Sequence, residues 1–278
     1  MRSVLITGCS TGFGRVTTLH MLRRGWRVIA TVRREADRAS LLAEAAGNSP
    51  QLTVVLADIT KADDVAEVAR VVRADAPQLH GLVNNAGTAF PAPLEFLPLE
   101  ELRAQLEVNV VGQLAVTQAA LPSLKAARGT IINVSSVSGR IAPPLAGAYG
   151  MSKFALEAMS DVLRLELAPF GIKVVVIEPG SSPTDIWKTI GARQSKAAGR
   201  GELKPYAKLI QSMTALAAKV HTDGFPPQLF ADTVEQILES PNPKPRYPIP
   251  SDIRFRVLVR RLVSDRMMDR FIRRALDW

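Results

Sequence analysis

Tyr149 and Lys153 are four residues apart in a stretch with helical spacing, which puts a phenol and an ammonium on one side of a helix, one turn apart. A phenol ordinarily gives up its proton at about pH 10. A fixed cation one turn away favours the phenolate and lowers that value. Such a pair can take or give a proton near neutral pH, which is the work of a general acid/base. On a solvated helix the same pair would do nothing. Its meaning depends on whether the chain also places a cofactor and a substrate beside it.

Six other groups of residues bear on that question. Gly8, Gly12 and Gly14 stand where an apolar strand, Arg2 to Ile6, gives way to a helical pattern through Val16, Leu19 and Leu22. Glycines there let the backbone approach a pyrophosphate, which the N–H groups at the helix start also favour. The spacing is G-x-x-x-G-x-G, and a plain tight turn is the alternative. Arg33 and Arg34 follow the second strand, about 20 residues beyond the glycines, where an acidic residue would accept the ribose hydroxyls of NAD. Arginine pairs instead with a 2′-phosphate, so NADP(H) is the expected dinucleotide and NAD(H) the alternative. Asp58 closes the third strand, where it could accept from an adenine amino group or cap the next helix. Asn84-Asn-Ala-Gly87 closes the fourth strand, and amides in such a turn bond to nearby backbone. Asn109 is out of place inside an apolar helical stretch and suggests a kink or a water site. Ser136 follows the fifth strand, 13 residues before Tyr149, at a strand end where ligands of open α/β sheets lie.

The elements that must position these residues alternate. Strands are expected at Arg2–Ile6, Trp26–Val32, Leu52–Ala57, Leu79–Val83, Gly129–Ser135 and Ile172–Ile177. Between them fall helices from about Val16 to Gly25, Ala36 to Ala46, Lys61 to Asp75, Pro98 to Ala126 and Tyr149 to Phe170. Leu102, Leu106, Val110, Leu114 and Leu121 are the expected apolar stripe of the Pro98 helix. The Tyr149 helix carries Leu156, Met159, Leu163 and Leu167 on one stripe and Phe154, Ala158 and Leu165 elsewhere, which suggests a second covered surface. Strand–helix alternation predicts an α/β fold: one doubly wound parallel sheet with helices on both faces. Beyond Pro179-Gly180 the pattern loosens. Ser181 to Gly201 is a polar, basic loop, part of an expected substrate loop over about 181–225. Helices follow at Tyr206–Val220 and Pro226–Glu239. A proline-rich run, Ser240 to Pro250, includes a candidate edge strand at Arg246-Tyr-Pro-Ile249. Arg254 to Leu276 reads as one or two basic amphipathic helices. The expected organisation is one domain over 1–250 with a helical extension, 251–278, packed on it.

With 278 residues, 47% hydrophobic and 22% charged, the chain can bury a sizeable core. The single Cys9 cannot form an internal disulfide, and the N-terminus runs straight into a strand without the pattern of a secretory leader; both favour a cytoplasmic protein. The net charge of +9 is partly local: eight arginines, at 254, 256, 260, 261, 266, 270, 273 and 274, face four aspartates after Pro250. No recognition motif accompanies that charge, so nucleic-acid binding is not expected. A helix packed over the cleft or at a subunit contact is favoured over one lying on acidic lipid. His20, His80 and His221 are scattered and form no ligand cluster, so no metal is expected.

Taken together and in order, these motifs resemble the short-chain dehydrogenase/reductase family over about residues 3 to 185. The family's T-G-x-x-x-G-x-G turn is similar to Thr7–Gly14, its N-N-A-G turn to Asn84–Gly87, and its Y-x-x-x-K pair to Tyr149 and Lys153. Its P-G-x-x-x-T segment is similar to Pro179, Gly180 and Thr184, with Ser181-Ser-Pro183 an unusual filling. The resemblance implies a Rossmann-type sheet and a dinucleotide held by Gly8, Ser10, Thr11, Gly12, Phe13, Gly14, Arg33, Arg34, Asp58, Ile59, Asn85, Ala86, Gly87, Tyr149, Lys153, Pro179, Gly180 and Thr184. It implies Tyr149 as general acid/base, Lys153 lowering its pKa and bonding the nicotinamide ribose, Ser136 polarising the substrate oxygen, and Asn109 positioning a water that links Lys153 to solvent. Ala30-Thr-Val-Arg-Arg34 and the long tail are more similar to the hydroxysteroid and retinol dehydrogenase-like branch, which implies an apolar alcohol or ketone substrate. A homodimer or homotetramer is the assembly the resemblance implies. The alternatives are a catalytically idle dinucleotide sensor that binds partners, and a reductase of an acidic or CoA-linked carbonyl, which the basic 181–201 loop would suit.

Overall fold

The computed structural model describes residues 1–183 and 201–278. Thr184 and most of the basic loop from Ser181 to Gly201 lie outside the described residues. Seven parallel strands form one sheet in the order β3-β2-β1-β4-β5-β6-β7. They are β1 Ser3–Ile6, β2 Arg27–Val32, β3 Leu52–Leu56, β4 Gly81–Asn84, β5 Thr130–Val134, β6 Lys173–Pro179 and β7 Arg246–Ile249. The proline-rich run thus supplies the edge strand, the place where a proline does least harm to a ladder. The other strands are near-continuous apolar runs because helices cover both faces. Alternate residues serve opposite cores. Val4, Ile6, Val28 and Ala30 pack with Trp26 and Phe230 on one side, and Leu5, Ile29, Leu82 and Ile131 pack with Leu79 and Leu124 on the other.

The connecting helices are α1 Gly12–Arg23, α2 Glu35–Glu44, α3 Ala62–Asp75, α4 Leu99–Leu106, α5 Gly112–Ala127 and α6 Gly147–Leu167. The strand order reverses between β1 and β4, so α1 and the turn after β4 flank a crevice at the carboxyl ends of the strands. After β6 come α7 Ala207–Asp223 and α8 Pro227–Glu239, and after β7 α9 Ile253–Leu262 and α10 Asp265–Ala275. Among the described residues no helix is long and apolar enough to cross a membrane.

Two sequence expectations are corrected. The Pro98–Ala126 helix is not one uniform α-helix: a π-helical turn over Glu107–Val111 joins α4 to α5, with Asn109 buried in it. Nor is its innermost face the leucine stripe. Leu102, Leu106, Val110, Leu114 and Leu121 are half-buried, while Gln105, Asn109, Gln113 and Thr117 are fully enclosed. The inward face carries this polar row, which bonds the turn after β4 as described below, beside the buried apolar Val116, Ala120 and Leu124. On α6, Leu156, Leu163 and Leu167 are buried while Phe154 and Leu165 stay exposed. The basic tail forms two helices, anchored by buried Ile253, by Trp278 stacked on Tyr206 at 5.9 Å and by a 2.8 Å Lys208–Asp277 ion pair.

Candidate active site

The glycine turn is locked from behind. The Thr7 hydroxyl accepts from the backbone N–H groups of Asn85 and Ala86, both at 3.0 Å, and the Asn85 amide donates to the carbonyls of Thr7 and Gly8. The turn after β4 is thereby clamped to the turn after β1. Gly8 and Gly12 have φ of +71° and +56°, a region that disfavours any side chain. A Cβ on Gly8 would lie 2.8 Å from Ala86 Cα, and one on Gly14 would collide with the Gly8 carbonyl oxygen. Phe13 stacks on Phe230 at 4.3 Å and Phe225 at 5.7 Å. Cys9, between the glycines, is fully buried; burial pushes its thiol up to about 12, and Sγ bonds the Ile6 carbonyl, so it is structural and not nucleophilic.

At the neighbouring strand ends, Arg33 lines the cleft and makes no ion pair among the described residues. Arg34 does not line it. Its guanidinium pairs with Asp37 at 2.8 and 2.9 Å, on the first turn of α2. Asp58 is partly buried, which opposes its ionisation, but the hydroxyl and N–H of Thr60 bond Oδ1 at 2.7 and 3.1 Å, and with Arg33 nearby the carboxyl is held below its usual range.

The far end of the cleft carries the hydroxyls. Ser136 follows β5; its Oγ accepts from Ser138 N–H at 3.1 Å and is hydrogen-bonded with the Tyr149 hydroxyl. Lys153 is buried, donates to the Val134 carbonyl at 2.7 Å, and sits 5.6 Å from the centre of the Tyr149 ring. The expected direction of the Tyr149 shift is reversed: burial pushes the phenol above its ordinary value, and the Ser136 hydrogen bond only partly opposes that. Burial also pushes Lys153 down to about 8, against the attraction of Glu157. Leu145, in the wall between Ser136 and Tyr149, has a φ of +62°, rare for a side chain with a Cγ, and is held by its carbonyl accepting from Ala92 N–H at 2.9 Å.

Behind this floor runs a polar row that the motif reading missed apart from Asn109. Gln105, Asn109, Gln113 and Thr117 recur every fourth residue, and that spacing was the available signal. Gln105 bonds the backbone of Thr88 and Phe90, Asn109 Oδ1 accepts from Thr88 N–H at 2.9 Å, and Gln113 donates to the Ala86 carbonyl at 2.8 Å. Asn109 Nδ2 donates to Ser152 Oγ at 3.0 Å, and Ser152 donates to the Tyr149 carbonyl at 2.7 Å. Asn109 therefore lies behind the cleft and ties the turn after β4 to the Tyr149 helix. A second chain crosses the sheet: Thr117 and Asn133 accept from Asn84, and Asn133 donates to Ser160, each bond at 2.8 Å.

One cleft of about 560 Å³ joins these parts. Gly8, Ser10, Thr11, Gly12, Phe13, Arg33, Asp58, Ile59, Asn85, Ala86, Gly87, Ser136, Tyr149, Lys153, Pro179 and Gly180 all line it. Gly14, Arg34 and Asn109 do not, and Thr184 is outside the described residues. The remaining wall, not anticipated from motifs, is largely apolar: Phe90, Pro91, Val108, Pro143, Leu145 and Met213. A glycine cradle that a Cβ would fill, a basic rim and a floor of converging hydroxyls fit a dinucleotide with a small reactive centre beside it.

Comparison with known proteins defines the class. A sequence model described as short chain dehydrogenase matches residues 2–195. An uncharacterized oxidoreductase, YusZ, of Bacillus subtilis (strain 168) is 38% identical over 93% of this chain and 92% of its own. Retinol dehydrogenase 16 of Homo sapiens is 35% identical over 88% of this chain and 79% of its own. A short chain dehydrogenase from Burkholderia cenocepacia J2315, solved in complex with NADP, is 26% identical, with a TM-score of 0.72 over 96% of this chain and 97% of that one. The chain belongs to the short-chain dehydrogenase/reductase family and is an NAD(P)-dependent oxidoreductase of that family.

Proposed function

We propose that this protein interconverts a secondary alcohol and its ketone with NADP(H), NAD(H) being the weaker alternative, and that the substrate is apolar. The observation that carries this reading is the convergence of the Ser136 and Tyr149 hydroxyls with Lys153 in the cleft that begins at the glycine turn. The turn at Gly8–Gly14 and the start of α1 would hold the pyrophosphate, Arg33 the 2′-phosphate, and Asp58 with Ile59 the adenine. Pro179 and Gly180, which line the cleft, would border the nicotinamide. The bound dinucleotide supplies the hydride.

The protein supplies the proton. With its phenol pushed up, Tyr149 rests protonated at neutral pH, the form that can donate to a carbonyl oxygen as it is reduced. Ser136 Oγ accepts from Ser138 N–H and shares a hydrogen bond with the Tyr149 hydroxyl, so its O–H lies where it would turn to the substrate oxygen to orient and polarise it. Lys153 holds a positive charge beside the phenol, and Asn109, through Ser152, fixes the backbone that carries it. The apolar wall of Phe90, Leu145 and Met213 supports a hydrophobic substrate, as does the likeness to a retinol dehydrogenase. Exposed Val111, Met151, Phe154, Val162 and Leu165 on the π-helical turn and α6 support a homodimer or homotetramer. The lone buried thiol supports a cytoplasmic setting.

A spectrophotometric screen of NADPH and NADH against ketones graded by size and charge tests this. Consumption of NADPH with bulky apolar ketones is expected. Arg33→Ala should weaken NADPH by about 10- to 100-fold, the worth of a charge-assisted hydrogen bond, and leave NADH unchanged. Binding of NADPH with no turnover of any ketone or alcohol would contradict the reading and favour a dinucleotide sensor.

A further inference from the structure

The two C-terminal helices present apolar side chains to solvent and arginines around them. On α9, Phe255, Leu258 and Leu262 follow i, i+3, i+7 spacing, share one side of the helix, and are 70%, 51% and 78% exposed. Buried Ile253 lies on the opposite side and holds α9 against the mouth of the cleft, where a Cβ on Gly180 would lie 2.8 Å from it. On α10, Met267 and Phe271 are exposed one turn apart, with half-buried Met268 and Ile272 beside them. The sequence favoured a tail helix packed over the cleft or at a subunit contact, and within this chain the apolar face stays open. Such residues are normally covered in a protein that stays in water.

The charges indicate by what. Asp252 pairs with Arg256 at 3.3 Å, Asp265 with Arg260 at 2.7 Å, and Asp277 with Lys208 at 2.8 Å. Arg254, Arg266, Arg270 and Arg274 are exposed and form no ion pair among the described residues. A second copy docked face to face would bring these arginines together. An anionic lipid surface satisfies both features at once, its headgroups meeting the guanidinium groups and its acyl boundary the Phe and Leu side chains.

We propose that α9 and α10 form a membrane-surface docking site that lies on anionic lipid without crossing it, next to the cleft mouth. This reaches beyond the oxidoreductase reading and does not depend on turnover. The test is flotation of the purified full chain with vesicles of phosphatidylcholine alone and of phosphatidylcholine mixed with phosphatidylserine. The wild type should float with the mixed vesicles only, and added salt should release it. Arg254→Gln/Arg270→Gln/Arg274→Gln should lower partition about fivefold per residue, about a hundredfold in all. Phe255→Ser/Leu262→Ser/Phe271→Ser should lower it more than about tenfold. All six residues are exposed, so thermal melts should match the wild type, and the salt titration of the wild type needs no variant. Absence of flotation on mixed vesicles would overturn the proposal, as would flotation that both variants leave unchanged. A serine variant that floats like the wild type but sediments as a smaller species would assign the face to a second copy. Flotation abolished by arginine loss alone, with equal arginine-dependent capture of an RNA, would assign it to a polyanion.

Discussion

The helix pair α4–α5 and the helix pair α9–α10 both depart from the usual amphipathic pattern, in opposite directions. In α4–α5 the fully enclosed side chains include four polar ones, Gln105, Asn109, Gln113 and Thr117, beside the apolar Val116, Ala120 and Leu124. In α9–α10 the most exposed include Phe255, Leu262 and Phe271. Burying an unpaired amide costs about 1–3 kcal/mol, and each of these side chains offsets that by at least one bond to backbone, although Gln113 Oε1 has no partner among the described residues. Exposed Phe and Leu side chains find no such compensation within the chain. Polar burial thus marks where the protein fixes its own turn for catalysis. Apolar exposure marks where it needs something outside itself.

The comparison can be broken first in the buried polar chain behind the cleft. Asn133 is fully buried between Asn84 and Ser160. Asn133→Ala should cost about 2–4 kcal/mol, from partners left short of a bond and the cavity that remains, seen as a lower urea midpoint. A loss below about 0.5 kcal/mol would mean the buried chain does not hold the sheet.

Lys153, in the cleft itself, gives a pH-dependent test. Its folded value, about 8, lies below the ordinary lysine value, so the unfolded chain binds more protons between the two. Wild-type stability should therefore gain about 1 kcal/mol per pH unit from about 8 toward 10.5 relative to Lys153→Met. Using the difference removes Cys9, whose raised thiol acts the other way from about 9 to about 12 in both proteins. A flat difference would show that Lys153 is not held in a desolvated site. The smallest effect belongs to the tail. Phe255→Ser/Phe271→Ser should change the unfolding free energy by less than about 0.5 kcal/mol, because neither ring is buried in the fold. A larger loss would mean that α9 and α10 are covered by the chain itself.

The parts of the protein that repeat a local period were legible in its sequence. Unbroken apolar runs gave the buried strands, and glycine spacing gave the turn after β1, because only glycine meets the backbone demands at Gly8 and Gly12. The edge strand at Arg246–Ile249 was legible because its prolines exclude a helix. What escaped depended on distant contacts. The leucine stripe of the Pro98 helix suggested the wrong inner face, because the bonds that turn Gln105 and Gln113 inward come from the backbone after β4. Arg33 and Arg34 are equivalent in sequence, yet Asp37 on the next helix turn engages Arg34 and leaves Arg33 at the cleft. The direction of the Tyr149 shift could not be read from a neighbouring lysine, since it is set by burial of the phenol, opposed by the Ser136 hydrogen bond.

The central claim is that Tyr149 moves the proton at the end of this cleft. It is tested most directly by Tyr149→Phe, measured for NADPH binding by fluorescence and for NADPH oxidation with a ketone the wild type reduces. The variant should bind NADPH as the wild type does and lose about 10²- to 10⁴-fold in kcat, the worth of a general acid. Turnover within about threefold of the wild type, with binding intact, would contradict the account.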